Sequence, residues 1–171
     1  MRILTATSAD VPALVSLINL AYRGESARQG WTHESDLVQG LIRTDEATVA
    51  RLVSDPDGTV LKYLDDPHRL VGCVHLQRQG GRLYLGMLSV QPRLQGRGIG
   101  KALLAAAEAY AGEHGCRTIF MRVISAREEL TAWYLRHGYR PTGQRKPFVV
   151  DARYGVAMKP LDFVLLEKGI A

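Results

Sequence analysis

Residues 88–104 constrain this chain more than any other stretch. A strand-like run ends at Leu88-Ser89-Val90, Pro92 interrupts further ladder pairing, and glycines at 96, 98 and 100 lead straight into an Ala- and Leu-rich segment from Ile99. Glycine accepts positive φ and lets backbone approach a ligand closely. The helix that follows offers unpaired N–H groups and the positive end of its dipole, which suits a phosphate. Arg93, Arg97 and Lys101 bring positive charge to the same place. The segment predicts a polyanion-binding turn between a strand and a helix.

Spacing separates three phosphate loops. The P-loop requires Gly-x-x-x-x-Gly-Lys-Ser/Thr. Gly100-Lys101 is present, but Gln95 stands where the first glycine belongs and Ala102 follows the lysine. The dinucleotide fingerprint Gly-x-Gly-x-x-Gly fails too, because Gly96 and Gly98 lead to Lys101, and Gly98 and Gly100 lead to Leu103. The pattern Gln/Arg-x-x-Gly-x-Gly/Ala is met by Gln95, Gly98 and Gly100.

The rest of the chain reads as ordinary globular protein. Its 171 residues are 46% hydrophobic and 23% charged, which excludes disorder, collagen and coiled coil and fits one domain over 1–171. No apolar run approaches the roughly 18 residues of a membrane helix. Thr5, Thr7, Ser8 and Asp10 break up the start where a signal peptide would be apolar, so a cytoplasmic location is expected. Cys73 and Cys116 stand far apart with no Cys-x-x-Cys or Cys/His cluster, so buried thiols are expected rather than a disulfide or a metal. The net charge of +5 points to an anionic partner.

Residues 2–7 read as a short strand. Ser8 or Asp10 caps a helix with Pro12 in its first turn and Leu14, Leu17, Ile18 and Ala21 at helical spacing. A polar loop carrying Trp31 follows, and Thr44-Asp45-Glu46 opens a second helix that ends near Ser54. Runs 59–64, 70–79 and 82–90 are predicted strands, paired antiparallel across Asp65-Asp66-Pro67 and Gly80-Gly81. Then come a helix over 99–113 stopped by Gly115, a β-branched strand over 118–124, and a helix over 128–137 stopped by Gly138. The tail shows weaker strand signals at 154–158 and 163–166. This order predicts a mixed α/β fold.

The 88–104 stretch resembles the acetyl-CoA motif of the GNAT N-acyltransferase superfamily: a strand ending in Val-x-Pro, then Gln/Arg-x-x-Gly-x-Gly, then a helix. Val90, Pro92, Gln95, Gly98 and Gly100 fall on that pattern. Residues 132–139 resemble the family's closing helix, a tyrosine followed after three residues by Gly-Phe/Tyr, here Tyr134, Gly138 and Tyr139. The segments Tyr22-Arg23-Gly24-Glu25, Gly30-Trp31 and Ile124-Ser125-Ala126-Arg127 resemble bacterial members of unassigned acceptor. The specific motifs cover 88–139, and the tail after Lys159 is merely compatible. The resemblance implies a mostly antiparallel sheet of about six or seven strands, splayed in the middle and flanked by about four helices.

The resemblance also implies a reaction and its residues. Acetyl-CoA would donate its acetyl group directly to a primary amine of a small molecule or peptide, with no metal. Amides of Gln95, Gly96, Arg97, Gly98, Ile99, Gly100 and Lys101 would cradle the pyrophosphate. Backbone at Leu88, Ser89 and Val90 would pair with pantetheine, with Leu88 also polarising the thioester carbonyl. Tyr134 matches the general acid on the CoA sulfur, and its alternative role is to fill space between helix and sheet. An alkylammonium has a pKa of about 10, so a base or water chain is expected. Two departures bear on that base: Tyr84-Leu85-Gly86-Met87 offers no carboxylate where many relatives place Glu, and Arg127 stands where many carry Asn. Arg127 is counted with the cofactor residues, and Glu25, Glu34 and His75 are the base candidates.

By family analogy the acceptor lies against the 22–36 loop, with Tyr22, Glu25 and Trp31 as substrate residues and His75 as a fourth candidate. Two aromatics, two cations and a carboxylate there suit a small charged amine, either amino-acid-like or polyamine-like. Arg122, Arg145 and Lys146 read as surface charges. A non-catalytic acyl-CoA-binding module is the second reading, favoured by the missing carboxylate. A nucleic-acid-binding domain is the third, but the basic residues are dispersed and no helix-turn-helix pattern appears, so neither nucleic acid nor membrane is an expected partner. A homodimer through the C-terminal strands is compatible with the resemblance.

Overall fold

The computed structural model describes residues 1–171. Strand β1 (Arg2–Thr5) leads through a short 3-10 turn into helix α1 (Val11–Tyr22), with Pro12 in its first turn as expected. A single helical turn, α2 (Gly24–Ala27), and a two-residue strand, β2 (Val38–Gln39), lie in the polar loop. Helix α3 (Glu46–Ser54) is capped by Asp45, whose carboxylate accepts from the Thr48 N–H at 2.8 Å. The three alternating apolar runs form β3 (Gly58–Leu64), β4 (Leu70–Gln79) and β5 (Arg82–Val90), antiparallel neighbours in that order. Helix α4 (Ile99–Glu113), strand β6 (Thr118–Ile124) and helix α5 (Glu128–Arg136) follow. The chain finishes with β7 (Arg140–Pro147), β8 (Val156–Ala157) and β9 (Asp162–Gly169).

Seven strands make one sheet in the order β1-β3-β4-β5-β6-β9-β7, and β2 pairs with β8 beside it. Every neighbouring pair in the large sheet is antiparallel except β5 and β6. Successive strand residues face opposite sides, so the sheet divides two cores. Val74 and Leu76 pack with Leu103, Leu104 and Ala107 of α4. Cys73 packs with Leu14 and Ile18 of α1 and Val49 of α3 on the other face. Both cysteines are buried and free.

The tail departs from its expected reading. Residues 140–147, where no strand was predicted, form β7, while 154–158 contributes only the two residues of β8. Strand β9 runs beyond 163–166 at both ends and lies between β6 and β7. β7 is an exposed edge carrying Pro141 and Pro147, a position that tolerates proline because one side of the strand needs no ladder donors. Its polar composition hid it.

The parallel pair β5–β6 positions the site. It holds only over Arg82–Tyr84 against Thr118–Phe120, and beyond Tyr84 the two strands part. On its other side β5 stays paired with β4, but with a bulge: Cys73 faces Ser89 and His75 faces Gly86, so Met87 and Leu88 oppose Val74 alone. Met87 takes φ +50°, a left-handed conformation that costs a non-glycine residue about 1 kcal/mol. Bulge and splay together open the middle of the sheet at Leu88.

Candidate active site

The turn after β5 folds as its glycines demand. Gly96 and Gly98 have φ of +80° and +84°, and a Cβ built on either meets nothing within 4 Å. Conformation, not crowding, requires glycine there, and open space lies over the backbone. Gly98 is the N-cap of α4 and no side chain caps it, so the first-turn N–H groups face outward unsatisfied. Gly100 is not under the same demand: a Cβ built there would meet the Trp133 ring at 3.4 Å, an ordinary van der Waals contact. An anionic, pyrophosphate-like group fits this turn on charge and on donor geometry.

A groove of about 360 Å³ runs from this turn into the splay, lined by Gly96, Gly98, Lys101, Leu88, Val90 and Tyr134 among others. A second cavity, about 110 Å³, opens on the far side of β5 toward β6 and β9. Five residues line both: Tyr22, Leu88, Arg127, Leu130 and Tyr134. The two spaces therefore meet at the bulge.

Side chains tie the 22–36 loop over the groove. Gln95 donates to the Val90 carbonyl at 3.2 Å and accepts from the Trp31 N–H at 3.0 Å. Gly30 packs so tightly on the Gln95 amide that a Cβ there would lie 2.3 Å from its oxygen. Trp31 is 43% exposed and rests on Trp133, with ring centroids 6.3 Å apart. The Tyr22 hydroxyl donates to the Leu88 carbonyl at 3.1 Å.

Tyr134 is buried at the meeting point, edge-on to Trp133 and Tyr139. Burial drives its pKa far above the ordinary phenol value, with the nearby Tyr22 adding to that and Arg127 opposing it. Burial likewise raises Tyr22 to about 12. Both phenols hold their protons throughout the physiological range.

Around the second cavity charge is concentrated. Glu34, 3% exposed, pairs with Arg23 Nε at 3.1 Å and lies 3.6 Å from Arg127 and 3.9 Å from Arg43. It is the one carboxylate lining either space. Glu25 is 93% exposed in its side chain and pairs with Arg28 at 3.4 Å, away from both cavities. His75 also lies outside them, on β4 against the Tyr84 ring, and burial lowers its pKa. Ser89 turns its hydroxyl onto the Met87 carbonyl at 3.0 Å, and the Arg97 side chain is exposed beside the groove. Arg122, read as a surface charge, is exposed yet lines the second cavity. Arg43, Tyr84, Phe148 and Phe163 line it as well and were not singled out in the sequence. Only the sheet brings them there.

An acetyltransferase (GNAT) family model matches residues 16–139, most of the chain and all of the site-bearing turn and closing helix. This chain belongs to the GNAT acetyltransferase family. No curated protein sequence matches it. Solved structures share its fold at low identity. A ribosomal-protein-alanine N-acetyltransferase from Brucella melitensis is 20% identical with TM-score 0.72, covering 99% of each chain. A GNAT superfamily phosphinothricin acetyltransferase from Sinorhizobium meliloti, solved with AcCoA, is 15% identical with TM-score 0.73, over 99% of this chain and 88% of that one. A nourseothricin acetyltransferase is 20% identical with TM-score 0.72, over 99% and 98%. The names of these three proteins point to different acceptors, while the fold persists. No helix of the chain is long and apolar enough to cross a membrane, and no cluster of three His, Cys, Asp or Glu residues stands where it could hold a metal.

Proposed function

We propose that this GNAT-family chain transfers an acetyl group from acetyl-CoA to a primary amine of a small molecule or peptide. The observation that carries this reading is the meeting of the two cavities at Leu88 and Tyr134, one leading from a phosphate-suited turn and the other lined by charged and aromatic side chains. Bound acetyl-CoA supplies an activated thioester carbonyl.

Each residue has a task in that reading. Amides from Gln95 to Lys101, with the Lys101 ammonium, hold the pyrophosphate at the α4 N-terminus. The β5 edge at Leu88 and Val90, free of β6 beyond Tyr84, receives pantetheine as an added strand. Two of its carbonyls are already bonded to Tyr22 and Gln95, so those side chains give way or share when the strand is added. Leu88, on the bulge, directs backbone polarity at the thioester oxygen. Tyr134, protonated and buried, gives its proton to the leaving sulfur. Tyr22 and Arg127, which line both cavities, border the acceptor side, whereas Trp31 lines only the groove from the glycine turn, and one domain spanning 1–171 carries the whole site.

The direct test is release of free CoA thiol from acetyl-CoA with a panel of amines, amino acids and short peptides. Amine-dependent release at many times the water background is the expected result. Tight acetyl-CoA binding with no release from any amine would contradict it and favour the acyl-CoA-binding module.

A further inference from the structure

Two guanidinium N–H groups at the second cavity have no hydrogen-bond acceptor. Arg127 is 6% exposed; one terminal nitrogen donates to the Thr32 hydroxyl at 2.7 Å, while its buried Nε makes no hydrogen bond. The buried Nε of Arg43 makes none either. Both guanidiniums lie against the Tyr22 ring, at 5.3 and 5.6 Å from its centre, and Arg122 stands 5.9 Å from the Tyr84 ring on the same cavity.

The acids nearby do not match these charges. Glu34 is held by Arg23, which approaches from outside the cavity at 3.1 Å, and Glu129 is 4.0 Å from Arg127 Nε and 44% exposed. Three guanidiniums line the space against a single carboxylate that a fourth already holds. Buried N–H donors without an acceptor, and buried cations in excess of acids, are costly unless a partner arrives. The planar guanidinium fork is matched by a two-oxygen anion.

We propose that the acceptor of this enzyme is an amine that also carries a carboxylate, which seats between Arg43, Arg122 and Arg127 in the second cavity. This rests on the acetyl-transfer reading above. It resolves the choice left by the sequence, because a polyamine would bring further positive charge to a cavity already in excess. The same cations disfavour an ammonium beside them, so they lower the pKa of the bound amine and raise its nucleophilic, neutral fraction. That supports deprotonation on a strand that offers no carboxylate. Met87, Met121, Phe148 and Phe163 give the remaining wall, suited to an apolar body.

The experiment compares leucine, phenylalanine and 4-aminobutyrate, each beside its carboxamide and its decarboxylated amine, with spermidine as a further acceptor. For the intact enzyme kcat/KM is expected to favour at least one carboxylate-bearing amine over its two neutral partners by about 10²-fold, the loss typical of an unpaired buried charge. Arg43→Gln is expected to shrink that ratio to below about tenfold, and Arg43→Lys to restore part of it. Arg43 is the better site than Arg127 because its side chain is 29% exposed. Neutral amines or spermidine turned over as well as the carboxylates would overturn the proposal and leave acetyl transfer standing. Binding is read separately, by calorimetry on the CoA-loaded protein with 4-methylpentanoate, which lacks the amine. Its binding, lost in Arg43→Gln, supports the carboxylate site even if no amine turns over, a result that would count against acetyl transfer alone. No binding and no turnover would sink both.

Discussion

Tyr134→Phe is expected to lower kcat by about 10²-fold or more while the acetyl-CoA Kd changes by less than about threefold. The substitution removes one oxygen and keeps the ring that packs edge-on against Trp133 and Tyr139. The phenol is buried, and no hydrogen bond offsets the rise in its pKa, so its loss leaves no partner stranded and the melting temperature should hold or rise. A space-filling role and an acid role therefore separate cleanly. If the ring only fills the gap between helix and sheet, the phenylalanine variant turns over at the parent rate. Because burial keeps the proton on Tyr134 well above neutral pH, the alkaline limb of the rate profile should also be set by another group.

Glu34→Ala is expected to be the most destabilising single change in the site. Glu34 is 3% exposed and Arg23 is equally buried, so removing the carboxylate leaves a desolvated guanidinium whose Nε has lost its partner. Breaking a buried pair in this way costs about 3–5 kcal/mol. For a domain of this size that is a fall in melting temperature of roughly 6–20 °C. Arg23 keeps bonds to the carbonyls of Ile42 and Tyr154, which favours the lower part of that range. Glu34→Gln retains an oxygen that can accept from Arg23 and should lose less. A Glu34→Ala melting temperature within about 2 °C of the parent would mean that the ion pair contributes little, as exposed pairs do.

The sequence exposed the glycine turn and its helix far better than the second cavity, for a physical reason. The turn proposed to hold pyrophosphate is local: a strand, three glycines and a helix start within 17 consecutive positions of 88–104, and positive φ at Gly96 and Gly98 is a demand on residue type that sequence displays. The second cavity, proposed to take the acceptor, is assembled across the sheet from Arg43, Tyr84, Arg122, Phe148 and Phe163, which no spacing rule connects. The bulge at Met87 was equally silent, since nothing in methionine announces a left-handed φ. Strand β7 escaped because an exposed edge needs no apolar face, whereas β3 to β5 are buried enough to show their patterning. Glu25 and Glu34 looked alike as candidate bases in one polar loop, yet folding leaves the first in solvent and buries the second among guanidiniums.

The most direct test of acetyl-CoA binding at the α4 turn is the melting temperature of the protein with saturating acetyl-CoA, CoA, NAD, ATP or a DNA duplex. A ligand at about 100 times its Kd adds about 2.7 kcal/mol to stability. In a domain of this size that amounts to roughly 5–10 °C. A shift of that size with acetyl-CoA and CoA, and a markedly smaller one with NAD, ATP and DNA, is the result this account requires. Folded protein whose melting temperature ignores both acetyl-CoA and CoA would contradict it.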